Sequence, residues 1–253
     1  MVPPGALTVV GTGIQIGLQL TPESRAAIDA ADELLYLNAE PLADRWLASL
    51  HPHARSLASL YRVGAERDEV YEAIVEAVLE PVRAGGRICA AFYGHPGVFV
   101  RPSHEAIRRA RDEGFAARML PAVSAEDCLF AELGVDPATA GCASYDATAF
   151  LRGTRRIDST AALILWQVAA IDESRAVPVG EHGGNLPRLL ERLLRDYPVE
   201  HEVVLYEASP FPAIESLVQR LPLGALGDAA PTPQATLYVP PLPAVASDGV
   251  ATR

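Results

Sequence analysis

Lysine is missing altogether: all 21 basic side chains are arginines, set against 32 acidic residues for a net charge of −11. An acidic chain without a basic run is poorly suited to neutralising a phosphate backbone or an anionic bilayer, so nucleic acid and membrane are not expected partners. Cysteine is scarce too. Cys89, Cys128 and Cys142 are far apart, odd in number and set among apolar residues. They form no metal-binding spacing, and reduced core residues are expected. No apolar run approaches the ~20 residues of a spanning helix. Met1-Val2-Pro3-Pro4-Gly5 lacks the basic and then apolar segment of a signal peptide, so a cytoplasmic protein is expected. There is no Walker loop, no Ser/His/Asp order and no CxxC pair. What is present is a globular composition, 49% apolar and 21% charged over 253 residues, with room for one large domain or two modest ones.

The chain opens on a β-branched run, Leu7-Thr8-Val9-Val10, that enters Gly11-Thr12-Gly13-Ile14-Gln15-Ile16-Gly17. The third glycine falls one place late for a dinucleotide fingerprint, and no helix start follows until Thr21-Pro22. Periodicity then predicts helix Pro22–Ala31, strand Glu33–Leu37, helix Leu42–Leu50, an irregular stretch with Leu60-Tyr61-Arg62, and a helix from Arg67 to about Glu80. Next come strand Ile88–Phe92, helix Pro102–Arg111, strand Phe115–Leu120 and a helix through Leu133 capped by Ser124. Strand and helix alternate to about residue 120, the pattern of a parallel, helix-covered sheet. Beyond it the order changes: strand Ser159–Val168, helix Asn185–Asp196, strand Glu202–Tyr206, a short helix Ala213–Arg220 and strand Ala235–Val239. We therefore expect an N-terminal α/β domain over 1–120, a C-terminal α/β domain over 121–242 and a flexible tail over 243–253.

The organising stretch is the strand that ends at Phe92 and hands Tyr93 to the turn Gly94-His95-Pro96-Gly97. Ligands bind at such strand carboxyl ends in open α/β sheets, although a buried strand and an ordinary turn would read the same. Arg67 and Tyr71 are four apart and share a helix face, which also describes a surface arginine lying across a ring. Ser124, at a helix start beside free N–H groups, is either a cap or a ligand contact. Together Tyr93, His95, Ser124, Gln167 and Tyr206 are neutral groups suited to holding a ligand by shape and hydrogen bonds. With them stand Tyr61, Arg67 and Tyr71, where a guanidinium beside a phenol (reference pKa ~10) favours the ionised form.

Four stretches, Tyr93-Gly94-His95-Pro96-Gly97-Val98-Phe99, Met119–Phe130, Tyr145–Leu151 and Thr236-Leu237-Tyr238-Val239-Pro240-Pro241, carry a family resemblance. The chain resembles the tetrapyrrole (corrin/porphyrin) methylase superfamily, and within it the borosin peptide-backbone α-N-methyltransferases, over nearly its whole length. The Tyr93–Phe99 and Met119–Phe130 blocks are its most specific parts, since pigment methylases usually carry Asp where this chain has His95. The resemblance implies a two-domain fold, a parallel-sheet N-terminal domain with a Gly-rich loop and clasp helix and a mixed-sheet C-terminal domain, with a cleft for S-adenosylmethionine (SAM) between them. It implies catalytic roles for Tyr93, Arg67, Tyr71 and Tyr61. For SAM it implies contacts at Pro96, Val98, Phe99, Ser124, Ala125, Gln167, Tyr206, Ala208 and Thr236. It also implies a homodimer, or a heterotetramer once the precursor is bound. Fungal borosin enzymes fuse their substrate to the C-terminus, whereas here only Leu242–Arg253 follows the last strand. The expectation is thus the split type, acting on a separate ribosomal precursor peptide. A SAM-dependent methylase of a tetrapyrrole or other small molecule is the alternative, and a non-catalytic SAM-binding interaction protein comes third.

Overall fold

The computed structural model describes residues 5–38, 40–62, 64–173, 175 and 185–243. Residues 244–253, which fall within the expected tail, lie outside them. The chain divides into two compact units, one of residues 5–132 with Glu173, Arg175 and 208–216, the other of 133–172, 185–207 and 217–243. The first unit thus runs to Glu132, past the boundary near residue 120 that the sequence suggests. The reason is α5 (Ala125–Leu133), whose buried Cys128 takes a contact from Gln19 Nε2 at 3.9 Å and so keeps the helix with the first unit.

In the first unit the elements follow in order: β1 (Ala6–Gly11), α1 (Pro22–Asp29), β2 (Glu33–Leu37), α2 (Pro41–Ser49), β3 (Ala54–Ser56), α3 (Arg67–Arg83), β4 (Arg87–Phe92), α4 (Arg101–Asp112), β5 (Ala116–Met119) and α5. The five strands form a sheet in the order β3-β2-β4-β1-β5, parallel at every pairing. Successive strand side chains point to opposite faces, and the burial follows that period of two. Leu7, Val9, Leu35, Ile88, Ala90 and Phe92 meet Val70, Ile74, Val78, Ala106 and Ala110 of α3 and α4. Val10, Leu34, Tyr36, Cys89 and Ala91 meet Ile28 and Leu47 of α1 and α2. Burying the larger aliphatic and aromatic side chains among these stabilises by ~1.5–3 kcal/mol each relative to exposure, so the two faces together hold the sheet rigid. Start signals behave as expected: Thr21 Oγ1 accepts the Ser24 N–H at 3.1 Å ahead of Pro22.

The second unit contains α6 (Pro137–Ala140), β6 (Cys142–Asp146), α7 (Ala147–Arg152), β7 (Ala162–Trp166), α8 (Leu186–Leu193), β8 (Glu202–Glu207), β9 (Leu217–Pro222) and β10 (Thr236–Val239). Its sheet runs β6-β7-β10-β8-β9, parallel only at β6–β7 and otherwise antiparallel. Leu163, Leu165, Val203, Leu205, Leu237 and Val239 pack on Phe150 of α7 and on Leu186, Leu189 and Leu193 of α8. The short helix expected over Ala213–Arg220 is overturned: Leu217–Pro222 is an edge strand, with Val204 opposite Arg220 and Tyr206 opposite Val218. Its side chains are almost all exposed, with Leu217 48% and Val218 41% accessible, so no buried face imprints a period on the sequence, and backbone pairing with β8 decides the conformation. Among the three cysteines, Cys89 and Cys128 are buried and Cys142 is half-buried, all unbridged. No described helix is long and apolar enough to cross a membrane.

Candidate active site

A parallel sheet delivers all its strand ends to one edge, and in the first unit that edge gathers most of the residues singled out from sequence. Gly11 closes β1, and Thr12 N donates to Phe92 O at 2.9 Å. Gly13 and Gly94, both at positive φ (70° and 69°), pair as an isolated bridge. A side chain at Gly11 would put its Cβ 2.2 Å from Gly94 O, 2.5 Å from Ala122 Cβ and 2.6 Å from Pro96 Cδ. Glycine is thus required there, because the ends of β1 and β4 and the turn after β5 converge closer than any Cβ permits. The loop from Ile14 to Gln19 is closed by Gln19 Oε1, which accepts from Ile14 N and Gln15 N at 2.8 and 3.0 Å.

The turn after Tyr93 is tied to itself. His95 Nδ1 accepts the Gly97 N–H at 2.9 Å, His104 Nε2 lies 2.9 Å from Gly97 O, and the buried Ser103 hydroxyl donates to Pro96 O. The role of His95 is settled to that extent: its Nδ1 is an acceptor and organises its own loop. Two residues on, Phe99 takes a left-handed backbone (φ 56°) and is 44% exposed. A non-glycine residue held at positive φ stores about a kcal/mol or more, a cost that collects at functional positions.

Tyr61 follows the 3₁₀ turn Ala58–Leu60 beyond the carboxyl end of β3, and Arg67 and Tyr71 occupy the first turns of α3, which crosses from β3 to β4. The sheet's direction therefore places them on the same edge as Tyr93. Tyr71 lies close enough to Tyr61 to act on its phenol. Desolvation of the phenol pushes the Tyr61 pKa well above the ordinary tyrosine value, and Tyr71 raises it further. Arg67 pulls the other way without prevailing. The sequence-based idea that Arg67 would ionise a neighbouring phenol is thus reversed at Tyr61, which holds its proton. Arg67 Nη2 faces Glu173 Oε2 at 3.9 Å, and Arg101 lies over the Tyr71 ring at 6.0 Å. Glu173 and Arg101 were invisible to sequence reasoning, since nothing local links positions so far apart.

Among the residues assigned to a cofactor, Pro96, Val98, Phe99, Ser124, Ala125 and Ala208 belong to the first unit. Ser124 is 6% exposed and fully engaged: its N–H and hydroxyl both donate to Asp127 Oδ2 at 2.7 Å, while its Oγ accepts the Asp127 N–H at 3.2 Å. This reciprocal cap starts α5. Ala208 opens the segment in which Pro210 O accepts the Ile16 N–H at 2.9 Å. In the second unit Tyr206 and Thr236, 1% and 2% exposed, sit opposite one another on β8 and β10. Gln167, directly after β7, is left-handed (φ 58°, ψ 38°) and half-buried. Its side-chain amide makes no hydrogen bond among the described residues. Only three non-glycine described residues have positive φ, and two of them, Phe99 and Gln167, are in the assigned cofactor set.

Comparison with known proteins agrees with this geometry. Residues 6–217 match the family Tetrapyrrole (Corrin/Porphyrin) Methylases. Over 94% of its length the chain is 39% identical to the methyltransferase/ribosomally synthesized cyclic peptide gymnopeptides precursor of Gymnopus fusipes, covering 57% of that protein. It is 38% identical, again over 94%, to the methyltransferase/ribosomally synthesized type I borosin cyclic peptide precursor of Coprinopsis marcescibilis, covering 62% of it. The chain thus spans about three fifths of the length of these curated relatives. Uroporphyrin-III C-methyl transferase from Thermus thermophilus, solved with S-adenosyl homocysteine, superposes with a TM-score of 0.65 at 19% identity, over 93% of this chain and 97% of that one. The cobalamin biosynthetic enzyme cobalt precorrin-4 methyltransferase gives a TM-score of 0.67 at 14% identity, over 93% and 94%. With its parallel first sheet, its mixed second sheet and a match extending from β1 to the start of β9, the chain belongs to the tetrapyrrole (corrin/porphyrin) methylase family.

Proposed function

We propose that this chain is the catalytic part of a SAM-dependent methyltransferase that methylates backbone amide nitrogens of a ribosomal peptide supplied as a separate polypeptide, working as a homodimer. The observation that carries the reading is the 35–39% identity, along 94% of the chain, to proteins named as methyltransferases joined to cyclic-peptide precursors. The gathering of Tyr61, Tyr71 and Arg67, close enough to act on one phenol, supports it. A tetrapyrrole methylase is the second reading, favoured by the solved structures that share the fold.

The donor set fits SAM. Ser124, Gln167, Tyr206 and Thr236 are neutral, and Phe99 and Gln167 turn left-handed backbone toward their surroundings. These residues, with Pro96, Val98, Ala125 and Ala208, would hold the cofactor. When bound, SAM supplies an electrophilic methyl group. An amide nitrogen is a poor nucleophile because its lone pair is delocalised into the carbonyl. Arg67 would stabilise the negative charge that builds on the amide oxygen as the nitrogen becomes nucleophilic. Tyr61, which keeps its proton, serves as a hydrogen-bond donor there. Accepting the amide proton then falls to Tyr93 or Tyr71.

Incubation of the purified chain with SAM and a precursor-type peptide should add whole methyl masses, located on backbone nitrogens by fragmentation. Arg67→Ala and Tyr93→Phe should each lower the rate by about 10²-fold or more. Unchanged rates in both variants would defeat the mechanism. Methylation of uroporphyrinogen in place of any peptide would establish the second reading.

A further inference from the structure

On the second unit an open groove of about 640 Å³ runs between α8 and the segment after α7. Arg155 and Arg156 line one wall, Arg188, Arg192 and Arg195 the other. The last three recur at four- and three-residue spacing and so share one face. Against these five guanidiniums stand three carboxylates, Glu191 and Asp196 in the groove and Asp172 paired with Arg188, leaving a local excess of positive charge at Arg155 and Arg156 on a protein whose net charge is −11. The arrangement is partly pre-set. Arg155 lies over the Tyr145 ring at 4.5 Å, and Arg192 donates to Arg155 O at 3.0 Å and pairs with Asp196. Arg188 pairs with Asp172 at 2.5 Å and Arg195 with Glu191 at 3.3 Å. Arg156 is exposed, and among the described residues neither it nor Arg155 has a carboxylate partner.

The charge selects anions, and the geometry selects among them. A single phosphate would need donors converging on one point, whereas Arg188 and Arg192 stand one turn apart on α8, about 6 Å along its axis, with Arg195 just beyond the helix end. Single-stranded nucleic acid would need exposed aromatic faces for its bases, but Arg155 covers Tyr145, and Phe150 is 1% exposed beneath Arg192. An extended peptide, by contrast, presents alternate side chains about 6.6–7 Å apart, close to the spacing of Arg188 and Arg192 on α8.

We propose that this groove docks an acidic, extended segment of the peptide substrate lying outside the stretch to be methylated. The proposal rests on the peptide reading above, yet binding and methylation can be measured separately. The probe is a fluorescein-labelled 15-residue peptide of alternating Glu and Ser, titrated with the full chain and followed by anisotropy. Arg156 and Arg195 are both exposed, so R156E/R195E should fold, and circular dichroism together with SAM affinity will confirm it. Binding should weaken about tenfold or more in R156E/R195E, less in R156Q/R195Q, and several-fold between about 50 and about 300 mM salt. For a methylatable peptide carrying the acidic segment, R156E/R195E should raise KM and leave kcat unchanged. Equal binding by wild type and R156E/R195E would overturn the proposal, as would tighter binding of an oligouridylate than of the acidic peptide. Arginine-dependent binding without methylation of any peptide would keep the docking site and remove the peptide-methylation reading instead.

Discussion

Tyr61 stands beside Tyr71, and Arg67, one turn before Tyr71 on α3, acts on the same phenol with the opposite sign. Desolvation first and Tyr71 second keep the Tyr61 proton in place, with Arg67 opposing. The sign of each term gives an order. Tyr71→Phe should bring the Tyr61 pKa down and Arg67→Gln should push it further up, read from phenolate absorbance. A raised folded-state pKa also ties stability to pH. Below the unfolded-chain value of ~10 the contribution is fully present, and it is lost as pH rises above it. Urea midpoints of the wild type should therefore fall across that range, and Tyr61→Phe should fall less steeply. Parallel curves would show that Tyr61 titrates like an ordinary tyrosine.

Gly11→Ala tests the convergence of strand ends. The added carbon would meet Gly94 O at 2.2 Å and Ala122 Cβ at 2.5 Å, and backbone atoms cannot swing aside as a flexible side chain can. Overpacking of this kind costs ~1–3 kcal/mol. SAM affinity should drop along with the midpoint, because the displaced turn carries Pro96, Val98 and Phe99. Gly64→Ala is the control. Nothing lies near its added Cβ, so any loss there reflects only its positive φ.

Much of this was legible in the sequence where burial imposes a period. Val70, Ile74, Val78 and Leu79 announced α3 because one face is buried, and β4 was plain between its glycines. β9 was missed because an exposed edge strand carries no such pattern. The short β6 was missed for a related reason: all five of its residues are half-buried, so neither face stands out. At the site, single residues at element ends were readable: Tyr93, Ser124 and Gln167 each stand where a strand stops or a helix starts. Their partners were not. The Glu173 carboxylate that faces Arg67 and the Tyr71 that raises the Tyr61 pKa arise from tertiary proximity, which no local spacing encodes.

His95 offers a substitution with two separable outcomes. Its Nδ1 accepts the N–H of the residue two positions on, a contact that an Asp side chain reproduces as an Asx turn. His95→Asp should keep SAM affinity within about twofold, while His95→Ala should lose ~1 kcal/mol of stability with the hydrogen bond. Calorimetric titration with SAM and thermal melts of both variants decide it. Equal melts for the two would mean that the Gly97 contact contributes nothing to holding the turn.

Tyr197 is a site where stability can be gained. Among the described residues its buried hydroxyl has no hydrogen-bond partner, and the ring stacks on His201 at 5.2 Å. Burial pushes its pKa up to about 12. An unsatisfied buried hydroxyl costs ~1–3 kcal/mol, and Tyr197→Phe removes it while keeping the ring. The melting temperature should rise by a few degrees with methyl transfer unaltered. A lower melting temperature would show that the hydroxyl is satisfied in solution.

Gln167→Gly sets stability against function at one residue. Holding a side-chained residue at φ 58° costs roughly 1 kcal/mol or more, and glycine adopts that backbone freely. Part of the gain is offset by the larger entropy of glycine in the unfolded chain. The variant should therefore be as stable as the wild type or slightly more so. If the amide of Gln167 serves to hold SAM, the same change should weaken cofactor binding about tenfold, in line with losing one or two hydrogen bonds. Gln167→Asn, which tolerates the left-handed region and keeps a shorter amide, should fall between the two in affinity. Chemical denaturation and SAM titration of the three proteins separate the effects. A Gly variant that binds SAM like the wild type would remove Gln167 from the cofactor set and leave its strained backbone without a functional account.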